Sequence, residues 1–518
     1  MQVPSARCAI MGRSGVESYG PSAPAVHQPV ANPQQSKVSN VSSYSRQVVK
    51  SFLWQGGAQT AGQVVSWVGT IVVIRFLSPA DYGLMAMANV FLGFFLLFAD
   101  LGFGAAAVQA KDVGHEQLRR LLGLVLFVNL TGCVLTLAAA PVVAALFGEP
   151  RLVPVVRVMA VNFLLLAAYV LPQSQLMREM DFRTKARLDV MATVLSAGTS
   201  LTVAVLGGGV WALVCGALVL HTVKAIAYNA ARPMKIIPVI SRTAIGGLAQ
   251  FGAFVTIDRG LYFLYSQVDI LIGGRVLGKD LVGLYAVALS LAVIPMEKVL
   301  PIVTQVSFAA YSRIQNDPER VRRNFLRAVQ LIALFCFPAF YGMAAVSGDL
   351  VPIVLGPRWN ELIVPFRLLC FALPLKAIGA LYGPALLGVG RPRLNMVNTA
   401  TSLVLMTAAI LVGVSHGVIG MCLAWAIVYP VVFTVNTWRS LRSLGVAAGE
   451  FVSRCAFPFA AGLAMGGAVI GLRDALESLG PSIWRLGALV AAGALLYGGC
   501  VFLFQRVAVR DLLAAVKS

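Results

Sequence analysis

Apolar stretches of about twenty residues follow one another along most of the chain, and they limit its fold more than any other feature. They fall at roughly 51–75, 83–108, 121–146, 153–175, 188–207, 209–229, 246–274, 281–306, 324–347, 362–388, 395–414, 417–437, 451–472 and 482–505. About 20 apolar residues carry a helix across the hydrocarbon layer, where every backbone group must be satisfied internally. The runs are too long and unbroken for the ten-residue alternation of a membrane barrel. An all-α polytopic membrane protein with about 14 transmembrane helices is therefore predicted. Composition agrees, with 58% hydrophobic and only 12% charged residues, well outside the range of soluble domains.

A second constraint is an internal repeat. Ser66 to Ala86 aligns without a gap on Ser266 to Ala286, with Ser66/Ser266, Val68/Val268, Arg75/Arg275, Leu77/Leu277, Gly83/Gly283, Leu84/Leu284 and Ala86/Ala286 identical. Each copy ends an apolar run, passes an Arg-x-Leu hinge and a short turn, and opens the next run with Gly-Leu. Repeats of this kind in a hydrophobic chain mark transporters, because two similar bundles can rock around a central site. The offset predicts two six-helix lobes, 46–245 and 246–445, followed by two further helices in 446–518.

Basic residues set the orientation, since Lys and Arg are retained in cytoplasmic loops. With the N terminus inside, that side collects clusters such as Arg178, Arg183, Lys185 and Arg187, or Arg320, Arg322, Arg323 and Arg327. The opposite side holds only Arg75, Arg151, Arg157, Arg275, Lys279, Arg358, Arg473 and Arg485. Both termini are thus expected in the cytoplasm. The net charge of +20 follows from this topology, with membrane lipids as its partners and no nucleic acid. Residues 1–45 are polar and lack an apolar block, so a disordered cytoplasmic tail is expected, without a signal peptide; Met11 offers an alternative start. The eight cysteines are dispersed and suit core packing, not a disulfide framework.

Several chemistries lack their motifs. There is no G-x-x-x-x-G-K-[ST] loop for ATP, and His27, His115, His221 and His416 lack metal-ligand spacing, so no metal or cofactor is expected. Gly102-Phe-Gly104 lies inside an apolar run and suits helix packing better than nucleotide binding. No large external loop or acidic cluster supports a catalytic role, and an enzyme is not expected.

Ionisable groups inside hydrocarbon are functional candidates because their insertion is costly, about 2.5–3.5 kcal/mol each. They are Asp100, Asp258, Arg259, Asp269, Glu297, Lys298 and Lys376; Arg367 is near enough to a surface to snorkel. Asp258 and Asp269 are about three helical turns apart and share a stripe. These charges can pair with one another, as Asp258 with Arg259 or Lys298 and Glu297 with Lys298 or Lys376. Alternatively Arg259, Lys298 and Lys376 face a common interior that suits a polyanion. Gln55, Gln59 and Gln63 lie on one helix face and either meet sugar hydroxyls or join helices. Pro301 and Pro374 bend their helices beside this buried charge.

The stretches Arg75-Phe-Leu-Ser-Pro-Ala-Asp-Tyr-Gly83, Ala99-Asp-Leu-Gly-Phe-Gly104, Gln173 to Arg183, Val268 to Gly278 and Val306 to Gln315 resemble the Wzx-type polysaccharide flippases. These belong to the multidrug/oligosaccharidyl-lipid/polysaccharide exporter superfamily, and the likeness, over about 48–440, is to the exopolysaccharide branch serving glycans such as colanic acid and xanthan. The resemblance implies two six-helix lobes around a cavity, and transport of an undecaprenyl-diphosphate-linked oligosaccharide across the bacterial inner membrane by alternating access. It implies Arg259, Lys298 and Lys376 as diphosphate ligands, and ion coupling or lobe packing for Asp100, Asp258, Asp269 and Glu297. Polymerase and chain-length or export proteins of the same pathway are the implied partners. A drug or small-cation antiporter of the same superfamily is the alternative, followed by a membrane glycan polymerase or ligase.

Overall fold

In the computed structural model, the described residues are 66–99, 115–233, 239, 249–477, 480 and 482–504, all within the compact unit Trp54–Ser518. Among them the chain is helical throughout and contains no strand. The first half comprises α1 (Ser66–Phe76), α2 (Pro79–Ala99), α3 (His115–Phe147), α4 (Leu152–Met159), α5 (Val161–Arg178), α6 (Phe182–Val205) and α7 (Trp211–Ala231). The second comprises α8 (Ala249–Ile314), α9 (Pro318–Val354), α10 (Ile363–Gly379), α11 (Tyr382–Gly388), α12 (Pro392–Gly413), α13 (Gly417–Leu423) and α14 (Tyr429–Leu444). A final hairpin, α15 (Ala448–Ala475) and α16 (Ile483–Phe504), packs on α9.

Local chemistry explains the turns. Ser78 caps α2: its hydroxyl donates to Asp81 Oδ2 at 2.7 Å, and its backbone N–H donates to the same oxygen at 2.9 Å, with Pro79 at the first helical position. Asp181 and Asp317 cap α6 and α9 by accepting from the backbone N–H of Thr184 and Arg320. Within α8 the helix breaks at Gly278, where φ is 77°, a conformation that only glycine adopts at no cost. The bend divides α8 into limbs 249–277 and 279–314, so this one element supplies two passes.

Eleven helical stretches among the described residues are long and apolar enough to cross a membrane. Two of them, of 45 and 53 residues, turn at Gly278 and at His416–Gly417. The count of fourteen remains an expectation, because most of the first predicted span lies outside the described residues.

Successive reversals gather the turns at two ends of the bundle. One, here end A, carries Ser78, Glu149, Gly209, Lys279, Gly356 and Leu476; the other, end B, carries Glu179, Arg232, Asp317, Arg391 and Gly445. Cross-links mark both ends: Lys279 Nζ lies 2.6 Å from Glu149 Oε2 at end A, and Arg232 lies 2.5 Å from Glu179 at end B.

The terminal hairpin is fixed by a buried pair. Arg485 donates through Nε to Asp349 Oδ1 at 2.9 Å and through a second nitrogen to the same oxygen, and Leu476 O accepts from it at 3.3 Å. Asp349 is fully buried and its other oxygen has no partner. Arg485→Met is expected to cost about 3–5 kcal/mol, because it strands a buried carboxylate. The double variant with Asp349→Leu should recover most of the loss in thermal unfolding of the detergent-solubilised protein; equal losses in both would show that the pair does not anchor the hairpin.

Candidate functional site

The repeat identified in the sequence forms the junction between the halves. A Cβ placed on Gly83 would lie 1.9 Å from the Lys279 carbonyl oxygen, and one on Gly283 would lie 1.8 Å from the Pro79 carbonyl oxygen. Since 79 and 279, like 83 and 283, are equivalent in the repeat, each half offers the other the same surface, as in an isologous interface. Glycine is required on both sides because the backbones touch. The two hinge arginines complete the symmetry. Arg75 donates to the carbonyl oxygens of Val354, at 2.9 Å, and of Ile353, at the C-terminal end of α9. Arg275 reaches Gly148, just past the end of α3, the equivalent helix of the first half. Helix C termini carry partial negative charge that favours such cations.

Aromatic groups add to this end A seal. Trp359 Nε1 donates to Ile74 O at 3.2 Å, and its ring meets Tyr82 edge to face. Phe147 packs where Gly274 leaves room. The described contacts between the halves continue from end A as far as Gly93 and Phe263, about fifteen residues or ~22 Å along α8.

Each half also contains a cavity whose largely apolar lining carries several polar groups. In the second half a cavity of about 280 Å³ is lined by Asp258, Lys376, Asn395, Thr399 and Tyr429 among others. Asp258 Oδ2 accepts from Asn395 Nδ2 and Oδ1 from the Thr399 hydroxyl, both at 2.7 Å. Asn395 and Thr399 are one turn apart on α12, so a single helix face grips the carboxylate. The Lys376 ammonium lies 4.4 Å from the centroid of the Trp425 ring and 5.8 Å from that of Tyr265, a cation–π cage. Asp269, 1% exposed, interacts with this charge, accepts from the Tyr285 hydroxyl at 2.6 Å and from its neighbour's N–H at 2.8 Å. Trp425 Nε1 donates to the Tyr285 oxygen at 2.9 Å, closing the network.

The first half holds a larger cavity of about 690 Å³ between α2, α3, α5 and α7. Asn89, Asn129, Asn162, Gln173 and His221 supply its polar lining. Beside it, towards end B, Asp189 is shared by Lys185 at 2.7 Å, Lys224 at 3.2 Å and the Tyr228 hydroxyl at 3.1 Å. The Tyr169 hydroxyl meets His221 Nδ1 at 3.1 Å and connects cluster and cavity.

The sequence-predicted residues separate on this frame. Asp258 and Lys376 line the same cavity, while Asp269 lies outside its lining and interacts with Lys376. Asp258 is held by Asn395 and Thr399 instead of the anticipated Arg259 or Lys298. Arg259 and Glu297 are exposed on α8. Lys298 lies on α8, but its side chain falls outside the described residues, as do Gln55, Gln59, Gln63 and Asp100. Arg259 and Lys376 therefore do not share one described cavity. The asparagines of the first half do not stand out in the sequence, because neutral side chains carry no large insertion penalty.

Residues 72–364 match the family described as polysaccharide biosynthesis protein. The chain belongs to this family. It is similar to the teichuronic acid biosynthesis protein TuaB of Bacillus subtilis, with 28% identity over 403 residues, 77% of this chain and 83% of that one. The lipopolysaccharide biosynthesis protein WzxC of Escherichia coli is 24% identical over 75% of this chain and 80% of its own length. The succinoglycan biosynthesis transport protein ExoT of Rhizobium meliloti is 24% identical over 92% and 96%. The fold resembles the lipid II flippase MurJ in an inward closed conformation, with a TM-score of 0.67 and 12% identity over 89% of this chain and 100% of that chain. A multidrug resistance MATE family transporter of the MOP superfamily, in an inward-facing conformation, gives a TM-score of 0.58 at 17% identity, over 74% of this chain and 95% of that chain. The all-α exporter-superfamily fold and the resemblance to Wzx-type proteins expected from the sequence are both borne out.

Proposed function

We propose that this protein is a flippase that carries an undecaprenyl-diphosphate-linked oligosaccharide across the bacterial inner membrane by alternating access. The observation that carries the reading is the family match, in a chain whose two halves mate through a reciprocal repeat contact at one end. A sugar chain cannot enter hydrocarbon with its hydroxyls unpaired. Polar cavities inside a helical bundle replace the lost water, while the polyprenyl tail stays in lipid. On this reading 46–245 and 246–445 are the two lobes, 446–518 adds the last hairpin, and the basic end B faces the cytoplasm. The structure then corresponds to a state sealed at the periplasmic end, and transport requires that the Gly83–Gly283 junction part.

Depleting the protein and probing the lipid-linked oligosaccharide pool from outside with a glycan-cleaving reagent tests this. A complete repeat unit that accumulates inaccessible to the reagent, with polymer lost, is the expected result. Accumulation of accessible units would place the block after translocation, and an unchanged pool would favour an antiporter.

Energy for the cycle is assigned to an ion gradient, with Asp258 as coupling group, because its oxygens share a cavity with neutral amide and hydroxyl groups that a bound cation or proton would rearrange. Asp258→Asn keeps the shape and removes the charge. In proteoliposomes it is expected to abolish stimulation by a sodium or proton gradient while the protein still inserts; gradient-dependent transport at the parent rate would remove Asp258 from this role.

A further inference from the structure

The 690 Å³ cavity of the first half contains two buried asparagines whose side-chain oxygens have no partner. Asn129 is 2% exposed and Asn162 is 7% exposed. The orientation of Asn129 is fixed chemically: its amide nitrogen donates to the Val125 carbonyl at 2.9 Å, which can only accept, so the oxygen is the free atom. Buried polar groups are nearly always satisfied, so two closely covered oxygens without partners beside one cavity mark unused hydrogen-bonding capacity there. An occupant that uses it must donate hydrogen bonds. It is too large a space for a bare ion, within the range of pockets that hold organic ligands. Among the described residues no carboxylate lines it, so they offer no counter-charge for a cationic drug. Asn89, Gln173 and His221 add both donors and acceptors, while Met85, Leu92, Phe163 and Leu166 belong to the apolar remainder that makes up most of the lining. Nearby, two ammonium groups face one carboxylate, Lys185 and Lys224 with Asp189, leaving a net positive charge that tolerates an attached phosphate.

We propose that this cavity between α2, α3, α5 and α7 is a sugar-binding site, which holds hydroxyl groups of the glycan headgroup on Asn129 and Asn162 during translocation. The inference rests on the flippase reading and deepens it. The second-half cavity has two asparagines of the same kind, Asn398 and Asn436, but it also holds the charges of Asp258 and Lys376 and is the smaller of the two.

The test compares Asn129→Leu, Asn162→Leu and the double variant with the parent, all as full-length protein in detergent. Two probes are used: undecaprenyl diphosphate, and the lipid-linked oligosaccharide extracted from cells depleted of this protein. The parent is expected to bind the glycosylated lipid at least tenfold more tightly than undecaprenyl diphosphate. The double variant should bind both alike, at the parent's affinity for undecaprenyl diphosphate. Its melting temperature should be unchanged or higher, because leucine removes unsatisfied oxygens, whereas a purely structural role would lower it. A double variant that keeps the parent's preference overturns the cavity assignment alone. A parent that binds neither lipid overturns the flippase reading together with it.

Discussion

Gly83→Ala combined with Gly283→Ala is expected to reduce transport by about a thousandfold while leaving the protein inserted. Each added methyl would lie less than 2 Å from a carbonyl oxygen of the opposite half, a backbone atom that cannot rotate aside. Overpacking typically costs about 1–3 kcal/mol at each site. The two sites act on the same contact, so a combined penalty of about 4 kcal/mol, or ~10³ in population, falls on the sealed state. Other states, in which the repeats part, do not carry the clash. The protein should then rest open at end A. Labelling of an Ala80→Cys reporter by a membrane-impermeant thiol reagent, measured against the parent, should rise as transport falls. If transport and labelling both match the parent, the glycine contact is not part of the cycle.

Lys376→Met is expected to destabilise the protein by about 3–5 kcal/mol, since it leaves Asp269 as an uncompensated charge among Tyr285, Trp425 and Tyr265. Adding Asp269→Asn should restore most of the melting temperature, because the pair is removed together. The same variants separate two roles for the lysine. If Lys376 only balances Asp269, the double variant binds the lipid-linked oligosaccharide as the parent does. If it also holds the diphosphate, stability recovers in the double variant and binding does not. A single variant as stable as the parent would show that Asp269 does not depend on this ammonium.

Much of the architecture was legible in the chain. Long apolar runs can only be membrane helices, and the Ser-Pro-Ala-Asp sequence at 78–81 writes a helix start directly into the backbone. The repeat at 66–86 and 266–286 announced two related halves. It did not announce that Gly83 and Gly283 meet each other, because alignment equates positions without saying whether they touch. The candidate site was legible only in part. Asp258, Asp269 and Lys376 stood out by charge and were brought together, but neutral partners such as Asn395 and Thr399 lie 137 and 141 residues from Asp258 in the chain. Asn129 and Asn162 were illegible for a different reason: an amide in an apolar helix is common, and the missing partner at its oxygen, which Asn398 and Asn436 share, appears only in the tertiary structure.

By itself, then, the sequence determined the membrane class, the helical content, the repeat shared by 66–86 and 266–286 and the distribution of basic residues. All of these follow from local composition and period, through the cost of placing backbone and charge in hydrocarbon. The tertiary structure decided at which end the repeats touch, which carboxylate meets which partner, and where unsatisfied oxygens lie beside a cavity. Those outcomes depend on contacts between helices distant in sequence, whose apolar faces all look alike to lipid and are distinguished only by the close fit of one against another.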